Sequence, residues 1–256
     1  MAVYIELILC MFKQQFQYRS SIWLRMAGDI VHLYIQICIW RVLLPEETAW
    51  KEMALYVIGV YLIQRLTYSD IAANMAEKVK DGSIALTLVR PISMRRHFLC
   101  EQIGTNLFGF LFRGIPLAAV FLTVFKVPAK PSYALLFIAS MACAVVLVFY
   151  FQYFIGLFVF WFKDGTYARM ITNGLMDLFS GNTIPLWFYP GFLRAFCNVL
   201  PLRYMIFEPA SILVGRYTVE GAVRAVGVQL IWIAVLFLAQ HLVWKKVQSA
   251  IVIQGG

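Results

Sequence analysis

Long apolar runs separated by short polar connections dominate the sequence. A helix that crosses the hydrocarbon core of a bilayer needs about 20 mostly apolar residues. Five runs reach that length, and a sixth run, the fifth along the chain, is shorter. The pattern predicts an all-α integral membrane protein in which residues 1–256 form a single domain with six transmembrane helices. The predicted spans are 22–44, 53–73, 103–125, 133–162, 167–181 and 222–244.

Residues 1–20 show a different pattern, in which one face of a predicted helix is apolar and another is polar. The apolar positions recur at helical spacing and are Ile5, Ile8, Leu9, Phe12 and Phe16. This pattern is typical of a helix that lies in the plane of the membrane interface. The alternative is that these residues are a frayed beginning of the first span.

The segment 182–221, before the last span, is rich in apolar and aromatic residues but is interrupted by prolines. The prolines are Pro185, Pro190, Pro201 and Pro209. Because proline removes a backbone donor and clashes with the preceding turn, no single helix can run through this segment. Irregular backbone at membrane depth is tolerated only against protein or a water-filled cavity. We predict short helices that dip in from the outer face as a re-entrant segment, and the alternative is an ordered loop with an aromatic belt.

The composition strengthens the membrane assignment. Hydrophobic residues make up 62% of the chain, and the mean hydropathy is +0.76. Charged residues make up 14%, against roughly 25% in soluble domains. A soluble fold of this length could not bury that much apolar surface in one core, so a lipid bilayer is a predicted partner of the chain.

The net charge of +9 comes from basic residues that lie mostly between the apolar runs. This placement favours orientation by cytoplasmic Lys and Arg over nucleic-acid binding. With both termini cytoplasmic, the connection 45–52 and its three glutamates lie outside. The bases placed inside are Lys13, Arg19, Lys78, Lys80, Arg90, Arg95, Arg96, Lys163, Arg169, Lys245 and Lys246. The bias is moderate, because seven further bases lie outside: Arg41, Lys51, Lys126, Lys130, Arg194, Arg203 and Arg216.

The chain carries no complete catalytic signature. It has no G-x-x-x-x-G-K-[ST] loop to hold a nucleotide phosphate, no G-x-S-x-G elbow and no H-E-x-x-H. Its three histidines are isolated, and its five cysteines are scattered without metal-ligand spacing. We therefore expect no enzyme activity, no metal and no cofactor in this chain.

Ionisable residues inside the predicted spans are costly in a bilayer and are candidate functional residues. Arg25 and Asp29 are four residues apart in the first span and could pair along one helix face. Together with Asp70 they are interpreted as structural or interfacial charges. The candidate residues of a polar translocation pathway are Arg65, Arg113 and Asp177, for which a structural pairing is the open alternative.

The loop 74–100 between the second and third spans predicts a short cytoplasmic helix. Asp81-Gly82 ends the preceding helix, and Pro91 ends the new one. Ser83 is the predicted cap of the short helix and Ser93 of the helix after it. Its apolar residues are Ile84, Leu86, Leu88 and Val89. An exposed apolar patch here would need a partner to cover it, and the alternatives are that the helix packs back on the bundle or lies among lipid headgroups.

The run from Asp81 to Ser93 resembles the G-x-[LI]-x-x-x-L-x-[RK]-P-[IL]-S cytoplasmic loop of short permeases in the type-2 ABC exporter superfamily, which have the type V exporter fold. A second resemblance lies in the segment before the last helix. It consists of Ser180 to Pro185, Tyr189-Pro190, Leu200-Pro201, Glu208-Pro209 and Gly215. Leu202 departs from the pattern, because relatives often have Phe there. Chain length, the N-terminal helix and six spans also agree, so the resemblance covers nearly the whole chain.

The resemblance implies a permease subunit of a bacterial inner-membrane exporter. Such permeases pair with a second copy or a related chain, and each half docks a separate ABC ATPase that binds ATP and magnesium. The predicted ATPase-coupling residues are Ser83, Ile84, Leu86, Leu88, Arg90 and Pro91. The alternatives are a membrane enzyme or accessory factor acting on lipids, and a channel or ion-coupled carrier. The transported substrate cannot be read from the sequence.

Overall fold

The computed structural model describes residues 2–68, 70–89, 92–128, 133–162 and 165–254. No strand occurs among these residues, and nearly all of them are helical. The α-helices are α1 Ala2–Gln14, α2 Arg19–Leu43, α3 Glu47–Thr67, α4 Ile71–Lys80, α5 Ile84–Val89, α6 Met94–Gly109, α7 Ile115–Val124, α8 Ala134–Leu157, α9 Val159–Phe162, α10 Gly165–Phe179, α11 Gly191–Val199, α12 Phe207–Val214 and α13 Val219–Gln254. Short 3₁₀ turns lie at Gln15–Tyr18, Leu186–Phe188 and Pro201–Met205, and a π-helical turn at Phe110–Gly114 joins α6 to α7.

Four helical stretches in the described part of the chain are long and apolar enough to cross a membrane. They are Ile22–Leu43, Met94–Val124, Ala134–Trp161 and Val219–Gln248. The prediction of an all-helical membrane protein is confirmed, and these stretches match the first, third, fourth and sixth predicted spans. The other two predicted spans fall on α3 and α10, which do not meet the same criterion.

The second predicted span, 53–73, has wrong boundaries, because α3 ends at Thr67 and α4 begins at Ile71. The break is stabilised from outside the helix. The Asn106 side chain of α6 donates hydrogen bonds to the backbone carbonyls of Leu66 (2.8 Å) and Tyr68 (2.6 Å). These bonds satisfy carbonyl groups that a terminating helix leaves without partners.

Helix α8 lies at the centre of the bundle, where it packs against α13, α4, α12 and α3. Its pairing with α13 includes a buried polar contact between Gln229 and Ser140. The Gln229 amide donates to the carbonyls of Ser140 (3.1 Å) and Tyr204 (2.8 Å) and accepts from the Ser140 hydroxyl (3.0 Å). In contrast, little of α2 is buried, so most of its apolar surface is available to lipid or to another chain.

Helix α1 packs side by side along α6. Arg96 Nη1 donates to Tyr4 Oη at 2.9 Å, and the Phe16 ring lies 4.8 Å from the Phe108 ring, centroid to centroid. Between these contacts Gly104 allows a close approach, since a Cβ there would lie 2.5 Å from the Ile8 carbonyl oxygen. From one contact to the next, the residue numbers rise in both segments, so α1 and α6 run in the same direction. Placement of α1 in the interface plane stays a prediction.

The proline-rich segment 182–221 is broken into short helices, as predicted. Its last helix, α12, is almost wholly buried against α3 and α8. Leu213 and Ala210 of α12 pack onto Gly59, near the middle of α3. The segment begins after Gly181, whose positive φ of 76° places it in the left-handed region that favours glycine. A glycine in the same region, Gly215, ends α12.

Candidate functional site

The loop 74–100 contains the predicted short helix, α5, and its start is held by a local hydrogen bond. The Ser83 N–H donates to Asp81 Oδ1 at 2.8 Å, in the turn just before α5, and the predicted capping role of Ser83 stays a prediction. Hydrogen bonds from the Ser83 side chain and backbone lower the pKa of the Asp81 carboxyl. Ser93 takes the predicted N-cap position of α6, but its side chain makes no capping hydrogen bond. The predicted capping bond is therefore wrong.

Helix α5 has two apolar faces with different surroundings. Ile84 and Leu88 are partly buried and pack against a cluster at the end of the bundle, which includes Met94 and Tyr153. Leu86 and Val89 point the other way, with exposed fractions of 70% and 85%. We call this pair of side chains the α5 outer face. Of the other predicted coupling residues, Arg90 and Pro91 lie outside the described residues.

Several bases of this loop contact other parts of the chain. Lys78 Nζ lies 3.5 Å from Glu101 Oε2, and the Arg95 guanidinium lies 4.5 Å from the centre of the Phe237 ring. Arg96 is engaged by Tyr4 of α1. The loop is therefore tied to α1, α6 and α13 around its short helix.

A continuous helical rod leads from this loop to the middle of the third predicted span. It consists of α6, the π-helical turn and α7, and Arg113 lies in the π-helical turn. Pro116 lies in the first turn of α7, where it removes a backbone donor and so favours a distortion just before it. π-helical turns are rare and are frequently found at functional sites.

Arg113 and Arg65 converge on one carboxylate, Asp29 of α2. Arg65 Nη1 lies 3.6 Å from Asp29 Oδ1, and Arg113 Nη1 lies 3.7 Å from Oδ2. Tyr61 Oη donates to Oδ2 at 3.0 Å, and the Arg65 guanidinium lies over the Tyr61 ring. We call these four residues the Asp29 cluster. It connects α2, α3 and the π-helical turn in the interior of the bundle.

The predicted Arg25–Asp29 pair is wrong, because Asp29 pairs with the two arginines on neighbouring helices. Arg25 is exposed one turn earlier on α2. Spacing along one helix placed both residues on one face, but it gave no information on competing partners from α3 and the π-helical turn.

Asp177, the third predicted pathway residue, does not join the Asp29 cluster. It accepts a hydrogen bond from Asn182 Nδ2 at 2.9 Å, and Asn182 also bonds Gln64 of α3. Asp177 and Arg65 nevertheless line the same cleft, which has a volume of about 430 Å³ and also includes Asp29. Arg65 and Arg113 thus share one partner, Asp29, and Asp177 lines the same cleft as Arg65 and Asp29.

Three side chains that line this cleft were not among the predicted pathway residues: Tyr61, Gln64 and Asn182. Asn182 belongs to the Ser-Gly-Asn turn that the sequence placed in the broken segment, and Gln64 precedes Arg65 in a predicted span. A polar side chain next to a candidate pathway charge was the available signal. Among the described residues, no group of three or more His, Cys, Asp or Glu side chains is arranged to hold a metal ion.

Together the fold and the cleft define an α-helical membrane protein with a charged interior cleft and a two-faced short helix at the end of the bundle. The family model described as ABC-2 family transporter protein matches residues 31–255, and the chain belongs to this family. The resemblance inferred from the two motifs is therefore confirmed. A comparison with curated proteins found no match. Family members are transmembrane permease components that are not themselves catalytic, and membership implies association with an ABC ATPase.

Proposed function

We propose that the chain is the permease subunit of an ABC exporter and forms half of a translocation pathway. A separate ATPase subunit binds ATP and magnesium and docks on the α5 outer face. The permease pairs with a second copy of itself or with a related chain. It has six transmembrane helices, the re-entrant segment before the last one, and both termini on the cytoplasmic side of a bacterial inner membrane.

The observation that carries this proposal is the two-faced packing of α5. Ile84 and Leu88 hold the helix on the bundle, while Leu86 and Val89 are left 70% and 85% exposed. A helix with one anchored face transmits displacement to the bundle, and its exposed apolar face is a liability unless a partner covers it. Burial of both outer side chains would contribute about 3–5 kcal/mol to docking.

The packing between α5 and α6 supports a route from that contact to the cleft. Ile84 and Leu88 pack on the cluster that includes Met94, the first residue of α6. From Met94 the helical rod reaches Arg113 after 19 residues, or about 28 Å at 1.5 Å per residue. We propose that movement of α5 shifts this rod and changes the pairing of Arg113 with Asp29, which alters the charge that lines the cleft.

The exposed apolar side of α2 supports pairing with another permease. Little of this helix is buried, although it contributes Asp29 to the cleft. A second subunit against α2 would place two clefts next to each other.

The buried position of α12 supports a re-entrant segment. Helix α12 belongs to the proline-rich segment 182–221, and it packs on Gly59 near the middle of α3.

The docking proposal is tested with the α5 outer face replaced by Leu86→Asp and Val89→Asp. Leu88 is left unchanged, because its partial burial would confound docking with folding. The matched control is Leu135→Asp at the start of α8, where the side chain is 79% exposed. We expect the outer-face variant to insert and purify normally but to lose the co-purifying ABC ATPase, which the control retains. Retention of the ATPase by the outer-face variant would contradict the proposal.

Orientation is tested with single cysteines at Glu47, which begins α3, and at Lys80, which ends α4. In intact cells an impermeant thiol reagent should label position 47 but not position 80. Labelling of position 80 from the periplasmic side would reverse the proposed topology.

A further inference from the structure

A second cleft lies beside the Asp29 cluster, on the side of α1 and α6, and is lined by three arginines. Its volume is about 460 Å³, and Arg25, Arg65 and Arg113 line it together with Tyr68, Thr105 and Gln15. This volume lies in the range of small-molecule sites, roughly 300–1,000 Å³. We call it the arginine cleft.

The arginine cleft carries an excess of positive charge. Asp29 is the carboxylate that pairs with Arg65 and Arg113, and among the described side chains no carboxylate pairs with Arg25. The other nearby acid, Asp70, is engaged by Arg169 at 3.7 Å and by the Tyr68 hydroxyl at 3.1 Å. Uncompensated charge is costly near the hydrocarbon region of a bilayer, so an anion in the cleft would be favoured.

Guanidinium groups are the charged donors of the cleft, and the Gln15 amide and the Thr105 hydroxyl are further donors in its lining. Arg65 Nε is buried and has no hydrogen-bond partner among the described residues. The Asn106 amide, which also lines the cleft, already donates to two backbone carbonyls, those of Leu66 and Tyr68 at the end of α3. Guanidinium groups match phosphate and carboxylate oxygens with paired hydrogen bonds. The donor set therefore favours an oxyanion over a neutral polar ligand.

The depth of the arginine cleft indicates where the oxyanion comes from. Arg25 is three residues from the start of the apolar stretch Ile22–Leu43, or about 4.5 Å along the helix axis. This is the level of the headgroup boundary, where Trp residues are also enriched. Ile22, one turn before Arg25 on the same helix face, and Phe108 also line the cleft and offer an apolar surface to an acyl chain.

We propose that the arginine cleft binds the phosphate group of an anionic amphiphile from the adjacent leaflet. Arg25 and Arg65 hold the phosphate oxygens, while Ile22 and Phe108 contact the apolar tail. The site needs no ATPase, so its test is independent of the docking proposal at the α5 outer face.

The test measures binding to the full-length permease in detergent by native mass spectrometry. The probes are short-chain phosphatidylglycerol, the zwitterionic phosphatidylcholine of equal chain length, and inorganic phosphate. We expect phosphatidylglycerol to bind more tightly than phosphatidylcholine, and Arg25→Gln to weaken its binding roughly tenfold, because one charge-assisted interaction is lost. The matched control is Arg224→Gln, where the arginine side chain is 76% exposed on α13, and its binding should equal that of the unchanged permease.

Arg25→Lys keeps the charge but loses the paired hydrogen bonds, so it should weaken binding less than Arg25→Gln. It also keeps the test valid if the glutamine variant does not fold. Inorganic phosphate that binds with the same dependence on Arg25 and displaces the lipid at equal concentration would support the oxyanion site with a soluble source. Equal binding of the two lipids, or unchanged phosphatidylglycerol binding in Arg25→Gln, would overturn the proposal.

Discussion

Replacement of Asp29 by Asn removes the one carboxylate shared by two arginines in the interior cleft. Arg65 and Arg113 would remain close to each other, with side chains that are 18% and 12% exposed. The amide that replaces the carboxylate can still accept a hydrogen bond, but it cannot neutralise either charge. We therefore expect Asp29→Asn to be strongly destabilising.

The size of the effect follows from the two ion-pair distances. At 3.6–3.7 Å and an effective dielectric constant of about 20, each pair is worth roughly 4–5 kcal/mol before desolvation is counted. Desolvation of the three groups and the repulsion between the two arginines offset part of this sum. The loss of one partner from a buried ion pair typically costs about 3–5 kcal/mol. For a chain of this size, that loss corresponds to a fall in Tm of about 6–20 °C.

The assay is thermal unfolding of the purified permease in detergent. The control is Asp177→Asn, because Asp177 lines a neighbouring part of the same cleft but accepts its hydrogen bond from a neutral partner, the Asn182 amide. The Tm of this variant should fall by no more than about 3 °C. In Asp29→Asn, the additional change Arg113→Gln removes one unpaired charge and should restore part of the Tm. Equal Tm values for the Asp29 and Asp177 variants would contradict the stabilisation of Arg65 and Arg113 by Asp29.

Three further predictions concern local packing. Gly104→Ala places a Cβ 2.5 Å from a backbone oxygen of α1. It should lower the free energy of unfolding by about 1–3 kcal/mol and raise amide hydrogen exchange in α1. The control is Gly28→Ala, whose Cβ meets nothing within 4 Å and which should leave that exchange unchanged. Gly181→Ala combines a positive φ with a contact of 2.9 Å to α12, so its Tm should fall below that of Gly174→Ala, which has open space; equal values would contradict the strain argument. Asp81→Ala should raise hydrogen exchange in α5 at neutral pH. Because the pKa of Asp81 is lowered in the fold, its stabilisation of α5 should be present above the unfolded-state pKa and be lost as the pH falls through the folded-state pKa. Protection factors of α5, corrected for the intrinsic pH dependence of exchange, that stay constant across that range would contradict this role.

Most of the helical architecture could be predicted from the sequence, because long apolar runs have few alternatives in a bilayer. The short helix of the loop between the second and third spans was equally readable, since Asp81-Gly82 ends the preceding helix for local reasons. The break after Thr67 was not readable, because a side chain from α6 caps that helix end. Local residue chemistry predicts where a helix begins and ends only when no distant partner decides the boundary.

In the candidate site, too, the charged residues could be predicted from the sequence, but their partners could not. Arg65 and Arg113 were identified as costly charges, but their shared partner Asp29 was assigned to Arg25. Partner choice depends on how α2, α3 and α7 pack and on the π-helical turn, which rotates Arg113 relative to a regular helix. The Gly114-Ile115-Pro116 sequence carried a signal for that distortion, which spacing rules for a regular helix do not include.

The central claim, that an ABC ATPase docks on the α5 outer face, is tested most directly by site-specific photo-cross-linking. A photoreactive amino acid replaces Leu86 in one variant and Leu135, which is also well exposed, in the other. After irradiation of membranes that contain the assembled transporter, we expect a covalent adduct between the permease and the ATPase from position 86 and none from position 135. Adducts from position 86 that contain only lipid or permease would contradict it.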